Sequence, residues 1–292
     1  MKTIEIDTAV GRSALFFGAL RSSRKRPGTI TALPELTYVR QHVVLDAAHV
    51  ASYANVCGFS AVHGVPIPYP QLLTFDLVMA FLGSADCPWP ALGTVHLANR
   101  ITQRQRLNPG DALRVEVSTG RLLAHEKGQV FTLEMKILRD GGIVWEATQC
   151  LLRIGVRNPV GPAYASELST ERPLSRQADF MAPGNIGRRY GRVSGDRNPI
   201  HLSALSARLF GFRRAIAHGL WTQARALAVL LPREAVAQAQ VAVEFKTPLF
   251  LPARASLWAT RDAAAPFARG ALFEVRNAQG DKPHLRGRLS YP

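Results

Sequence analysis

Apolar and polar residues alternate along two separate regions of this chain, and each region follows an apolar block with helical spacing. In the first region, residues 94–104, 112–118, 130–138 and 143–154 read as strands of period two. Asp140-Gly-Gly142 joins the last two as a hairpin turn. In the second region the strands fall at 241–246, 256–260, 268–275 and 284–291, with 277–282 as the corresponding turn. The apolar blocks ahead of them are 72–82 and 220–231. The second block is interrupted only by Thr222, Gln223 and Arg225, and would be about 18 Å long at 1.5 Å per residue. A helix apolar on most of its faces is buried, so the strands that follow must wrap around it. The pattern predicts an α+β protein in which an antiparallel sheet curls around one helix, twice over.

The two halves also share a degenerate repeat. Tyr190-Gly-Arg-Val-Ser-Gly-Asp196 precedes Ile216-Ala-His-Gly-Leu220 and the second apolar helix. Tyr53-Ala-Asn-Val-Cys-Gly-Phe59 precedes Ile67-Pro-Tyr-Pro-Gln71 and the first. Residues 158–175, rich in proline and serine, read as the linker. The expected division is 1–157, linker 158–175, and 176–292.

The run Ser194-Gly-Asp-Arg-Asn-Pro-Ile-His201 carries the candidate chemistry. Asn198 is a helix N-cap and Pro199 suits the first helical position. The helix is expected to run through Leu205 to Phe210 and to end at Gly211. Asp196 then lies just before the helix and His201 in its first turn, and Gly195 frees the backbone to turn the acid inward. Two such groups on one tight turn can hold one water and move its protons. Imidazole suits this because it titrates near neutrality. Gly219 opens the buried helix, where its N–H has no intrahelical acceptor and points along the positive end of the dipole. A thioester oxygen placed there would gain a hydrogen bond as enolate charge develops. His218 is expected to be structural or to line the pocket. An ordinary capped turn with solvated Asp and His is the plainer alternative.

The first half lacks this machinery. Phe59 stands where Asp196 stands, His63 has no Asn-Pro before it, and Pro70 falls at the place of Gly219 with no N–H to donate. One active site per chain is expected. Phe59, Tyr69, Phe75, Leu77 and Phe81 are candidates to line an acyl chain, alongside ordinary core packing.

Composition narrows the partners. With 292 residues, 47% hydrophobic and 20% charged, the chain can bury a large core. Its net charge of +15 favours an acidic or phosphate-bearing partner. Nucleic acid ranks low, because the arginines are scattered, aromatics are 8%, and no recognition motif is present. Three separated cysteines, Cys57, Cys87 and Cys150, argue against a disulfide scaffold or a zinc site and suit a reducing cytoplasm. The apolar run 14–20 is too short to span a bilayer and lacks a basic leader, and the cluster 21–26 reads as solvated.

Ser194-Gly-Asp-Arg-Asn-Pro-Ile-His201 closely resembles the hydratase-2 motif of MaoC-like (R)-specific enoyl-CoA hydratases and dehydratases. The first half, with Val65-Pro-Ile-Pro-Tyr-Pro-Gln71, is similar to the non-catalytic half of double-hotdog members, including (3R)-hydroxyacyl-carrier-protein dehydratases. The resemblance covers roughly residues 39–291. It implies a double hotdog fold, a catalytic dyad at Asp196 and His201, an oxyanion donor at Gly219, and a loop supported by Ser194, Gly195, Asn198 and Pro199. It implies a substrate carried on CoA or acyl carrier protein, with no metal and no redox cofactor. The reaction expected is the interconversion of (3R)-3-hydroxyacyl and trans-2-enoyl thioesters by a cytoplasmic monomer or homodimer. The rival readings are a non-catalytic acyl-thioester-binding subunit and a hotdog thioesterase.

Overall fold

The structure is a computed structural model that describes residues 2–6, 22, 25, 28, 30–91, 93–168, 172–232, 234–260 and 270–292. The run 14–20 lies outside the described residues, as do most of 21–26 and the start of the strand expected at 268. In chain order the described elements are β1 (Lys2–Glu5), β2 (Leu36–Val44), α1 (Ala47–Cys57), α2 (Phe75–Gly83), β3 (Thr94–Gln103), β4 (Ala112–His125), β5 (Gly128–Arg139) and β6 (Gly142–Ile154). They continue with β7 (Ser175–Ala182), α3 (Ile186–Ser194), α4 (Pro199–Leu202), α5 (Ala204–Arg208), α6 (Gly219–Leu230), β8 (Ala239–Phe245), β9 (Ala253–Ala259), β10 (Gly270–Asn277) and β11 (Pro283–Ser290). Two compact units result.

The first unit comprises Met1–Leu45, Pro70–Ile101 and Gly110–Ser166. Its strands lie in the order β1-β2-β4-β5-β6-β3. The β2–β4, β4–β5 and β5–β6 pairs are antiparallel, and β1 joins β2 in parallel. Between β5 and β6, Asp140 (φ 52°) and Gly141 (φ 77°) both take the left-handed conformation. Two such residues close a hairpin whose twist matches its strands. Leu77 and Phe81 of α2 are buried, and Phe81 meets the Tyr38 ring of β2 edge-on at 6.3 Å. The expected helix 72–82 therefore forms, but its start, Tyr69–Thr74, is 3-10 turn rather than α-helix.

The second unit comprises Asp46–Tyr69, Thr102–Pro109 and Glu167–Pro292. Its strands lie in the order β8-β11-β10-β9-β7, every determined pair antiparallel. The apolar helix α6 lies against β10 and β11. Trp221, Ala224, Ala226 and Leu227 are fully enclosed, each large side chain contributing about 2–3 kcal/mol by leaving water. A second layer of helix covers α6: α1 packs on both α3 and α6, and Trp221 Nε1 donates to Val56 O at 3.1 Å. α1 starts at Asp46, whose side chain accepts from His49 N at 2.7 Å, and ends at Gly58 in the left-handed conformation.

One expectation needs correction, and two segments are better ordered than their sequence suggests. Residues 190–194, which precede the turn that carries the acid, form the last turn of helix α3. Its sequence, Ile-Gly-Arg-Arg-Tyr-Gly-Arg-Val-Ser, buries Ile186, Gly187, Tyr190, Gly191 and Ser194 on one face. The single helix expected from Asn198 to Gly211 is two short ones. Ser203 (φ −156°, ψ 163°) breaks it, and its hydroxyl accepts from Ser206 N at 3.0 Å to cap the second. Serine competes with helix in this way because its side chain satisfies a nearby backbone N–H. The stretch 158–166, the first part of the expected linker, is hydrogen-bonded along its length, with Val160 N donating to Gln129 at 2.8 Å and Tyr164 N to Ala124 O at 2.7 Å.

Candidate active site

The site is built from two short stretches, 194–201 and 216–219, both in the second unit. Helix α3 ends at Gly195 (φ 82°), a conformation glycine adopts without cost. Ser194 Oγ then accepts from Asp196 N at 3.2 Å, and Asp196 Oδ1 from Asn198 N at 3.0 Å. Asn198 caps α4 by accepting from Ile200 N at 3.4 Å, with Pro199 at the first helical position. Each loop residue singled out by the sequence thus has a local hydrogen-bonding or conformational reason to be there.

Two glycines of α3 set the distance between this loop and the helix. A Cβ on Gly191 would sit 2.7 Å from the Asp196 carbonyl oxygen, and one on Gly187 would overlap the His201 carbonyl outright. The sequence reading missed both. The signal was present, a Gly-x-x-x-Gly spacing that places both on one helical face.

His201 is 8% exposed, and His218 is 3% exposed. His201 Nδ1–H donates to Ile216 O at 2.8 Å, which fixes the tautomer and leaves Nε2 with its lone pair. The Ile216 N–H in turn donates to Ile200 O at 3.0 Å, fastening the two stretches together. The His218 ring stacks on the His201 ring at 3.7 Å, its Nε2–H donating to the Asp196 backbone oxygen at 3.1 Å. Burial pushes His201 below the usual imidazole range, opposed by the Asp196 carboxylate. Burial pushes His218 further, down to about 3, with His201 adding to it. His218 is therefore neutral, and the 3.7 Å approach of its Nε2 to Asp196 Oδ2 is a dipolar contact rather than an ion pair. The Asp196 side chain is 35% exposed, so one face of the group remains open.

One ligand atom from each of Asp196, His201 and His218 lies within 4.8 Å of the others. A single water, with hydrogen bonds near 2.8 Å, can bridge two groups about 5 Å apart. A metal fits less well. The stacked rings are only 26° from parallel, so their in-plane lone pairs do not converge, and His201 Nδ1 is occupied by Ile216.

Gly219 is the first residue of α6, with His218 at the N-cap. Its N–H is beyond the reach of any carbonyl of its own helix. A Cβ there would come within 2.7 Å of the Phe245 ring, so glycine also lets strand and helix meet.

The acyl-lining candidates divide between the units. Phe59 and Tyr69 both pack on Tyr53, Phe59 stacked at 6.3 Å and Tyr69 edge-on at 5.4 Å. Tyr53 lies 6.2 Å from the Tyr190 ring, and Tyr190 lies 4.9 Å from His218. This aromatic chain leads from the segment around Phe59 to the acid–imidazole group. Tyr190, wholly buried, is held well above the usual phenol range and stays protonated. Phe75, Leu77 and Phe81 belong to the first unit, where Leu77 and Phe81 are core residues and Phe75 is half-buried. His63 Nε2 lies 2.9 Å from Pro232 O.

Two α+β units, one of them carrying an acid–imidazole loop beside the start of its buried helix, define a double-hotdog protein of the hydratase type. The family model for the MaoC like domain matches residues 167–270. The chain is 33% identical over 256 residues to 3-hydroxyacyl-thioester dehydratase X of Mycobacterium tuberculosis, a match spanning 87% of this chain and 88% of that protein. The crystal structure of HtdX from the same organism is similar with TM-score 0.72 and 30% identity, covering 88% of this chain and 100% of that one. A conserved hypothetical protein of M. tuberculosis with a double hotdog fold shares the fold at TM-score 0.55 and 13% identity, covering 92% and 97% of the two chains. This chain belongs to the MaoC-like dehydratase family. Among the described residues, no helix is long and apolar enough to cross a membrane.

Proposed function

We propose that this chain is a hydro-lyase interconverting 3-hydroxyacyl and 2-enoyl thioesters, with Asp196 and His201 as its proton-transfer pair. The hydroxyl is read as (3R) and the alkene as trans. Similarity to 3-hydroxyacyl-thioester dehydratase X supports the reaction class. The observation that carries the assignment of groups is the hydrogen bond from His201 Nδ1 to Ile216 O at 2.8 Å. It commits one ring nitrogen as a donor and leaves the other as a base.

In the hydration direction, one water lies between His201 Nε2 and the Asp196 carboxylate. Its oxygen bonds to the β-carbon as its proton moves to the pair. The electron pair of the alkene moves toward the thioester carbonyl, whose oxygen accepts from the Gly219 N–H. A proton from the pair then bonds to the α-carbon, and the pair ends as it began. The Asp196 carboxylate stabilises any positive charge on His201, which burial otherwise disfavours. No electron is transferred to or from the protein, so the reaction asks for no redox cofactor, and the acid–base pair asks for no metal. Three buried cysteines, none of them in a disulfide, are compatible with a reducing cytoplasm.

Following loss of enoyl absorbance with crotonyl-CoA, longer enoyl-CoAs and carrier-bound enoyl groups tests the reading. Wild type should turn over, and Asp196→Asn and His201→Ala should each lose about 10²–10⁴-fold in kcat with an unchanged fold. Equal background rates for wild type and Asp196→Asn on every substrate would sink it.

A further inference from the structure

The segment that carries the acid–imidazole pair is also where positive charge is concentrated. Residues 186–214 hold seven arginines, no lysine, and a single acidic residue, Asp196 itself, a net charge of +6 in a tenth of the chain. None of the seven is ion-paired with a carboxylate among the described residues. Three that are anchored are held by other means. Arg188 donates to Leu202 O at 3.0 Å, and Arg213 and Arg214 lie 4.7 and 5.8 Å from the centre of the Phe250 ring. These guanidinium groups are held without their charge being neutralised. Unneutralised, pre-positioned charge favours association with an acid-rich surface.

Apolar side chains interrupt the charge. Between 205 and 214, Leu205 is 75% exposed, Leu209 81% and Phe210 39%, alongside exposed Arg208, Arg213 and Arg214. Leu205 and Leu209 are one helical turn apart and so share a face. The phosphates of CoA would use the cations but have no use for large exposed leucines. An apolar centre rimmed by charge is the anatomy of a protein–protein contact.

We infer that the 205–214 surface docks the acidic protein that carries the substrate, an acyl carrier protein whose thioester arm then reaches Asp196 and His201. This rests on the hydro-lyase reading above and adds the partner to it. Leu205 and Leu209 would enter an apolar recess on the carrier, and Arg208, Arg213 and Arg214 would face its carboxylates.

The test compares one acyl group, trans-2-octenoyl, on holo-acyl carrier protein and on CoA, with wild type, the double variant Arg208→Glu/Arg213→Glu, and Leu209→Asp. On the carrier, kcat/KM should fall about tenfold or more in each variant, chiefly through KM, and the wild-type rate should weaken with added salt. On CoA the variants should stay within about threefold of wild type, which also certifies their fold. Equal losses on both substrates, or no loss on either, would overturn the docking proposal. A wild type that hydrates the CoA substrate but refuses the carrier-bound one would also overturn it while leaving the hydro-lyase reading intact. A wild type inactive on both would instead remove the reading on which it rests.

Discussion

Gly191→Ala separates the effect of the helix from the effect of the site. Gly191 lies inside α3, and alanine there should favour helix by about 1 kcal/mol. Its new Cβ, however, would lie 2.7 Å from the Asp196 carbonyl oxygen. An ordinary carbon–oxygen contact is nearer 3.3 Å, so helix and loop must part by about 0.5 Å. That oxygen accepts the His218 Nε2–H at 3.1 Å, so the shift reaches the acid and both imidazoles together. A misplacement of about 1 Å can cost roughly 10²-fold in rate, so half of that should cost about tenfold, or 1.4 kcal/mol in the barrier. Overpacking of about 1–3 kcal/mol should cancel or exceed the helical gain in stability. The assay is kcat/KM for enoyl-thioester hydration beside a thermal melt. Loss of rate with a Tm unchanged or lowered is expected, and Gly187→Ala should be worse on both counts. A Gly191→Ala enzyme that melts higher and keeps its rate within twofold would refute the idea that the loop's position is set by this helix face.

Two further outcomes follow from burial. Stability should fall with acid below neutrality, because His218 has a folded value of about 3 against an ordinary 6.5. The unfolded chain binds protons there that the folded chain refuses, so this contribution is complete above pH 6.5 and drains as pH falls toward 3. It is on the order of 5 kcal/mol for His218, and urea melts from pH 7 to 4.5 should slope accordingly; a flat profile would show that this ring is hydrated. The thiols should be silent in the native protein, since Cys57, Cys87 and Cys150 are buried and burial pushes Cys57 up to about 12. A thiol-titrating dye should find none before denaturation and three after it, and fast native labelling would contradict the packing around α1.

The parts of the fold legible in the sequence were those with a local cause. The Asp140-Gly141 turn needs two left-handed residues, and the chain supplies an aspartate and a glycine. The helix beginning at Gly219 shows in its apolar face, and the Asn198–Pro199 start in its cap. The parts that were hidden have non-local causes. Helix α3 has no strong local signal, since Gly187 and Gly191 weaken helix, yet they are small so that a separate loop can lie against them. The break at Ser203 depends on a side-chain bond that competes evenly with helix. The grouping of Asp46–Tyr69 with the second unit rests on contacts such as Trp221 with Val56, 165 residues apart, which no local pattern records. At the site, the residue types and their order were readable, whereas the stacking of His218 on His201 was not.

The bond from Ile216 N to Ile200 O closes residues 201–215 into an excursion with both ends fastened. The groups proposed for the chemistry sit at its two ends, His201 on one side and His218 and Gly219, beyond Ile216, on the other. Between those ends Leu205, Arg208 and Leu209 turn largely to solvent, so their side chains can be exchanged while the fastened ends stay where they are. A lineage could therefore exchange the company this enzyme keeps by rewriting one loop, while its reaction stays the same.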